Sequence, residues 1–180
     1  MGQALFPAEM KTVTMELATL NKKAFSLIEI IITVAIISVI TAVGITSYTS
    51  FQQTQIAQTS VQELKNNLRK YQIKALAVEK STSCPDEYSF YGIQANFAAD
   101  SYSFTALCTN GSSEVKESFS LPDNIVIQST GSLIFKPLSG GIESATAEPY
   151  TLNICGYGKL YTITITKSGD IRDEGVTDSC

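Results

Sequence analysis

The sequence contains no histidine and no tryptophan, and charged residues make up only 17% of its 180 positions. Without His the commonest ligand of a catalytic zinc is missing, as is the usual general base of a nucleophilic triad. No phosphate-cradling glycine loop, G-x-S-x-G elbow or H-E-x-x-H helix occurs, so the usual signatures of nucleotide, hydrolase and metalloprotease chemistry are absent. None of the four cysteines has the close C-x-x-C spacing of a zinc or redox motif. These gaps give no basis for assigning a catalytic residue, a metal site or a cofactor, and a non-enzymatic role is expected.

Charge is also unevenly spread. Across residues 24–62 the only charged side chain is Glu29. The mean hydropathy of +0.10 is high for a soluble domain, and this stretch is its source. The remainder of the chain is normally polar. Residues 1–24 hold three lysines (Lys11, Lys22, Lys23) and two glutamates (Glu9, Glu16), so their removal takes the net charge from −4 to −5. That charge argues against a head built to grip nucleic acid, which usually shows a basic stripe, and no nucleic-acid partner is expected.

Residues 25–45, FSLIEIIITVAIISVITAVGI, would form a helix of about 31 Å, the thickness of a bilayer's hydrocarbon core. Lys22 and Lys23 precede it, and no basic residue follows until Lys65. The positive-inside rule then keeps the N-terminus in the cytoplasm and places the head outside, anchored in membrane lipid. A secretory signal would instead need small residues of the A-x-A kind after its apolar run, and residues 40–44 offer a poor version.

Glu29 is the informative residue. A carboxylate inside an apolar helix is costly and marks function by default. A cut between Ala24 and Phe25 would create an α-amino group four residues upstream of it, at the positive end of the helix dipole. Glu29 could pair with that amine or with the amine of a neighbouring subunit.

The run Lys22-Lys23-Ala24-Phe25-Ser26-Leu27-Ile28-Glu29 resembles the processing site of the type IV pilin and type II secretion pseudopilin superfamily. The resemblance implies that prepilin peptidase cuts after Ala24 and methylates Phe25, and that Glu29 is the assembly carboxylate. It also implies as partners other (pseudo)pilin subunits and an inner-membrane assembly platform, in a bacterial inner membrane crossed once. Where the family usually has Gly before the cut this chain has Ala24, the next smallest side chain. A start at Met15 would give a ten-residue leader of ordinary family size.

Beyond the span, Ala57, Val61, Leu64, Leu68, Tyr71, Ala75 and Val78 recur at spacings of four and three, predicting a helix to Val78 that lays this stripe on a sheet. Residues 41–60 are rich in Ser, Thr and Gln and are weaker helix formers outside lipid. Ser81 to Pro85 read as the helix stop. Strands are expected at 88–94, 101–108, 115–121, 124–128, 132–136, 151–155 and 160–166, with a tight Asn110-Gly111 hairpin turn and a short tail after Asp170.

The fold class is therefore α+β, a long N-terminal helix packed on a C-terminal antiparallel head. The divisions are 1–24 (leader), 25–80 (transmembrane and assembly helix) and 81–180 (extracytoplasmic head). Cys84, Cys108, Cys155 and Cys180 all follow the anchor and read as disulfides of an oxidising compartment. Four cysteines allow three connectivities, of which Cys84–Cys108 with Cys155–Cys180 is favoured. Residues 131–137 with Gly140, Gly141 and Gly169 resemble the H-type minor pseudopilin and its pilus counterparts, which implies a minor structural subunit. Asp170, Asp173, Glu174 and Asp178 lack calcium-loop spacing and read as an acidic surface. The alternative function is a membrane-anchored module that binds DNA, a surface or an exported substrate, told apart by whether the chain is cut before Phe25.

Overall fold

The computed structural model describes residues 25–79, 84, 89–144, 148–177 and 179–180, without the side chains of 43, 44 and 46. The leader with Lys22, Lys23 and Ala24, most of the 81–85 helix stop, and Asp178 lie outside the described residues. Helix α1 (Leu27–Leu76) is followed by nine strands in an α+β arrangement. The chain divides into two compact units, Met1–Gly44 and Ile45–Cys180, and α1 contributes to both.

In the first unit the described residues are Phe25, Ser26 and the start of α1, whose apolar side chains from Leu27 to Ile40 are exposed. An 18-residue window here reaches a mean hydropathy of 2.6 with none of it buried, long and apolar enough to cross a bilayer.

In the second unit the rest of α1 lies against two antiparallel sheets. The strands are β1 (Phe90–Phe97), β2 (Ser101–Cys108), β3 (Ser113–Ser120), β4 (Ile125–Ile127), β5 (Gly131–Phe135), β6 (Ile142–Ser144), β7 (Tyr150–Gly156), β8 (Lys159–Ile165) and β9 (Ile171–Thr177). One sheet has the order β3-β2-β1-β5-β6 and the other β4-β7-β8-β9. Alternation of buried and half-exposed side chains along β1, β2, β7 and β8 gives each sheet one apolar face.

The helical stripe read from the sequence is the seam. Ala57, Val61, Leu64, Leu68, Tyr71 and Ala75 are all buried, and each large member contributes about 1.5–3 kcal/mol by leaving water. Tyr71 stacks on Phe104 of β2, ring centroids 4.0 Å apart. Asn67 Nδ2 donates to the Tyr102 hydroxyl at 2.9 Å. Phe97 and Tyr150, 5.8 Å apart, bring β1 and β7 together and so join the two sheets.

Several expectations are corrected. The helix ends at Leu76, and Val78 lies beyond it at φ 53°. The first strand starts at Phe90 and runs to Phe97, and β6 is an additional short strand. The segment read as a tail is strand β9, paired with β8 from Ile165↔Ile171 to Leu160↔Thr177. Its sequence hides it because only Ile171 is buried, so no apolar alternation exists to be read. As an outer strand it carries Arg172, Asp173 and Glu174, with a register shift opposite Thr162/Ile163, which blunts an edge that would otherwise template aggregation. Strand β3 protects its edge in the same way with Glu114, Lys116 and Glu117.

The Asn110-Gly111 turn closes the β2–β3 hairpin, with Gly111 at φ 84° and the Ser112 N–H and hydroxyl both donating to Asn110 Oδ1. Disulfides join Cys84 to Cys108 and Cys155 to Cys180, with Cα atoms 5.6 and 5.8 Å apart. The second closes a span of 25 residues around β8 and β9. The substitution Cys180→Ser is expected to cost about 2–4 kcal/mol. Amides of β9 should lose protection in hydrogen exchange before those of the five-stranded sheet, a comparison read directly by exchange mass spectrometry.

Candidate functional site

Two places gather the residues that the sequence singles out. The first is the entry to α1. Ser26 ends the non-helical lead-in, and its carbonyl accepts the N–H groups of Glu29 (3.0 Å) and Ile30 (3.2 Å), forming the first turn. Glu29 stands in that turn, the only acidic residue there. A carboxylate so placed offsets the partial positive charge of the free N–H groups. Phe25 and Glu29 are both exposed, as are the isoleucines that follow. The site is thus a solvent-accessible aromatic residue, a carboxylate one turn later, and an uncovered apolar helix. Thr33, Ser38 and Thr41 return their hydroxyls to carbonyls three or four residues earlier, so these polar side chains are satisfied within an apolar surrounding.

The second place is the far end of the same helix, in the head unit. Gln72 Nε2 donates to two carbonyls at once, Gly140 at 3.0 Å and Gly169 at 2.6 Å. Both glycines are buried. Gly140 belongs to the loop between β5 and β6, Gly169 to the loop between β8 and β9, so one amide fastens both sheets to α1. The sequence marks the two glycines as a pattern without saying what joins them. Gln72 carries no signal of its own, being one more polar residue beside an apolar stripe.

Charged groups around the head are largely spent on each other. Lys65 reaches Asp173 at 3.5 Å, and Arg172 Nε donates to Asp170 at 2.6 Å. The acidic run near the C-terminus is thereby divided between two cations. Among the described residues no three His, Cys, Asp or Glu side chains converge as metal ligands. Lys70 and Glu117 pair at 2.9 Å, and hydrogen bonding from Lys70 holds the exposed Glu117 carboxyl below its usual range. Burial, reinforced by Glu117, pushes the Tyr71 hydroxyl well above its ordinary pKa, so it stays neutral.

Residues 19–45 match the family model for the prokaryotic N-terminal methylation motif. No curated protein and no solved structure matches the chain. The motif is that of type IV pilin-like precursors, the kind processed by prepilin peptidase and assembled with other pilins, and it suggests a structural subunit. The apolar helix that the motif opens fits membrane anchoring.

Proposed function

We propose that the chain is a minor (pseudo)pilin, a structural subunit of a type II secretion pseudopilus or type IV pilus. The observation that carries this reading is the methylation motif over residues 19–45, in which a basic pair leads into an apolar helix holding a single carboxylate. Lys22 and Lys23 hold the leader in the cytoplasm, where prepilin peptidase cuts between Ala24 and Phe25 and methylates the Phe25 amine. The chain then crosses the inner membrane once, with its disulfide-bonded head outside, until the assembly platform extracts it.

Glu29 performs the central step. In lipid, the carboxylate and an amine one turn away each cost less together than apart. Transfer into a bundle of helices lets Glu29 meet the amine of an adjacent subunit, which gives the incoming helix both a direction and a register. Minor status is supported by the likeness of residues 131–137, Gly140, Gly141 and Gly169 to the H-type pattern, and those last elements meet at Gln72.

The test is the composition of sheared filaments or overproduced pseudopili. The processed chain should be present in them, far below the amount of the principal subunit. Its retention in the membrane fraction alone, in cells that do make filaments, would refute the proposal.

A further inference from the structure

The five-stranded sheet turns Phe104 toward Tyr71 of α1, which leaves its opposite face looking outward. The strand register sets the residues of that outward face in rows. Ser118 of β3, Ser103 of β2, Asn96 of β1 and Ser132 of β5 stand side by side across four strands. At about 4.7–4.9 Å between strands, this row is about 14 Å long. In the next row Thr105 and Gln94 are neighbours, flanked by Val115 and Ile134. On the other side of the first row Ser101 stands opposite Ser120. The residues between the rows, Phe97, Tyr102, Phe104 and Leu133 among them, are buried in the core.

Charge is confined to the margins of this face and is matched there. Glu143 pairs with Lys136 and accepts the Tyr91 hydroxyl at 3.0 Å, while Lys116 at the bulge of β3 pairs with Glu114. Asp100 in the β1–β2 turn accepts the Ser101 hydroxyl at 3.0 Å. Inside the rows the polar side chains are hydroxyls and carboxamides. Within the described residues no hydrogen bond engages the side chains of Gln94, Asn96, Ser103, Thr105, Ser118 or Ser132. A hollow of about 240 Å³ opens here, and Asn96, Ser101, Ser103 and Ser118 are part of its lining.

Soluble surfaces ordinarily carry about a quarter charged residues, so a charge-free area across four strands calls for a reason. Its chemistry limits what it can hold. Nucleic acids and other polyanions need cations, and these rows have none. Protein interfaces place aromatic side chains, Met and Arg at their centres and are depleted in Ser, the reverse of this composition. A lipid surface needs a broad apolar face or a basic one. An uncharged polyol fits, because its hydroxyl groups donate to and accept from Ser, Thr, Asn and Gln alike.

We propose that the outward face of the five-stranded sheet binds a neutral polysaccharide. It rests on the role proposed above only in placing the head outside the membrane. Gln94 and Asn96, two residues apart on the central strand, supply carboxamides that donate and accept at once, and the serines of the first row extend the contact sideways. Val115, 62% exposed, and Ile134 give the C–H faces of sugar rings an apolar footing. Each hydrogen bond at such an open surface is worth little alone. Retention therefore depends on a polymer that repeats the same groups along its length.

The experiment incubates the full-length chain, purified in a zwitterionic detergent without a sugar headgroup, with cellulose, with cross-linked dextran and with carboxymethyl-cellulose. The protein pulled down with each polymer is then measured. Retention is expected on at least one of the two neutral glucans, and weaker retention on the charged derivative. Binding to the neutral polymer should persist in about 1 M salt, where charge interactions are screened beyond about 3 Å. Replacing Gln94 and Asn96 together by Ala should weaken it about tenfold, the worth of one or two hydrogen bonds. Asn96→Asp, which keeps the shape and adds a charge, should also weaken it. Gln128→Ala, an exposed carboxamide outside the rows, should not, and all three variants should keep the thermal midpoint of the parent. The inference is overturned by an absence of retention on both neutral glucans, by retention that salt abolishes, or by undiminished retention in the Gln94/Asn96 double variant. Those outcomes leave the subunit role intact, since that role is read from filament composition and not from the purified chain.

Discussion

Replacing Glu29 by Ala is expected to leave the protein in the membrane and keep it out of filaments. The two halves of that result have separate physical causes. Glu29 is the only charged side chain across residues 24–62, and a carboxylate in a span carries an insertion cost that reaches about 2.5–3.5 kcal/mol at the span's centre. Alanine removes that cost, so insertion should improve. Assembly should suffer in the opposite direction. If the carboxylate pairs with a neighbour's amine, its loss leaves a buried cation unpaired, a penalty of about 3–5 kcal/mol. That corresponds to a loss of incorporation of about a hundredfold or more. Membrane fractionation reads the first quantity, and the variant's abundance in sheared filaments reads the second. Glu29→Asp, which keeps the charge but shortens its reach, should fall between the two. Normal incorporation of the Ala variant would remove Glu29 from the mechanism.

The second large effect lies at the other end of α1. Gly169 is buried at φ +87°, a backbone conformation that side chains other than glycine rarely adopt. A methyl group added there would overlap both the Gly140 carbonyl and the Gln72 amide. Neither neighbour can yield cheaply, because the carbonyl is backbone and the amide is held by its two hydrogen bonds. Gly169→Ala combines backbone strain with loss of the clasp, and more than about 4 kcal/mol of destabilisation is expected. Gln72→Ala, which removes the bonds but adds no clash, should cost about 2 kcal/mol. Chemical denaturation of the solubilised protein separates the two, and an effect of Gly169→Ala no greater than that of Gln72→Ala would contradict the steric account.

These two sites differ in how far the sequence discloses them. The methylation motif is legible because it is a short continuous stretch, residues 19–45, in which Lys22, Lys23, Ala24, Phe25 and Glu29 are neighbours. The seam of α1 is legible for a related reason, since Leu64, Leu68, Tyr71 and Ala75 repeat at the helical period and are buried together. Strand β9 is not, because an outer strand with one buried residue has no periodicity to display. The clasp is hidden more deeply. It joins Gln72 to carbonyls 68 and 97 residues away, and carbonyls leave no trace in a sequence. Only the glycines record it, as positions where the approach of backbone excludes a side chain. The Tyr161 hydroxyl, buried without a hydrogen-bond partner among the described residues, is likewise invisible in the sequence, for Tyr161 alternates with Thr162 and Ile163 as any strand residue would.

The clasp and the seam together fix how the head is carried on the second half of α1, while the entry to the helix holds the groups to which we assign assembly. The proposed role in assembly requires removal of the leader at one peptide bond. The most direct measurement is therefore the mass of the N-terminal peptide of the protein isolated from its native membrane. The account predicts a peptide that begins at Phe25 and carries one methyl group on its amine. A chain that retains Ala24 and the residues before it, in cells with an active prepilin peptidase, would contradict it.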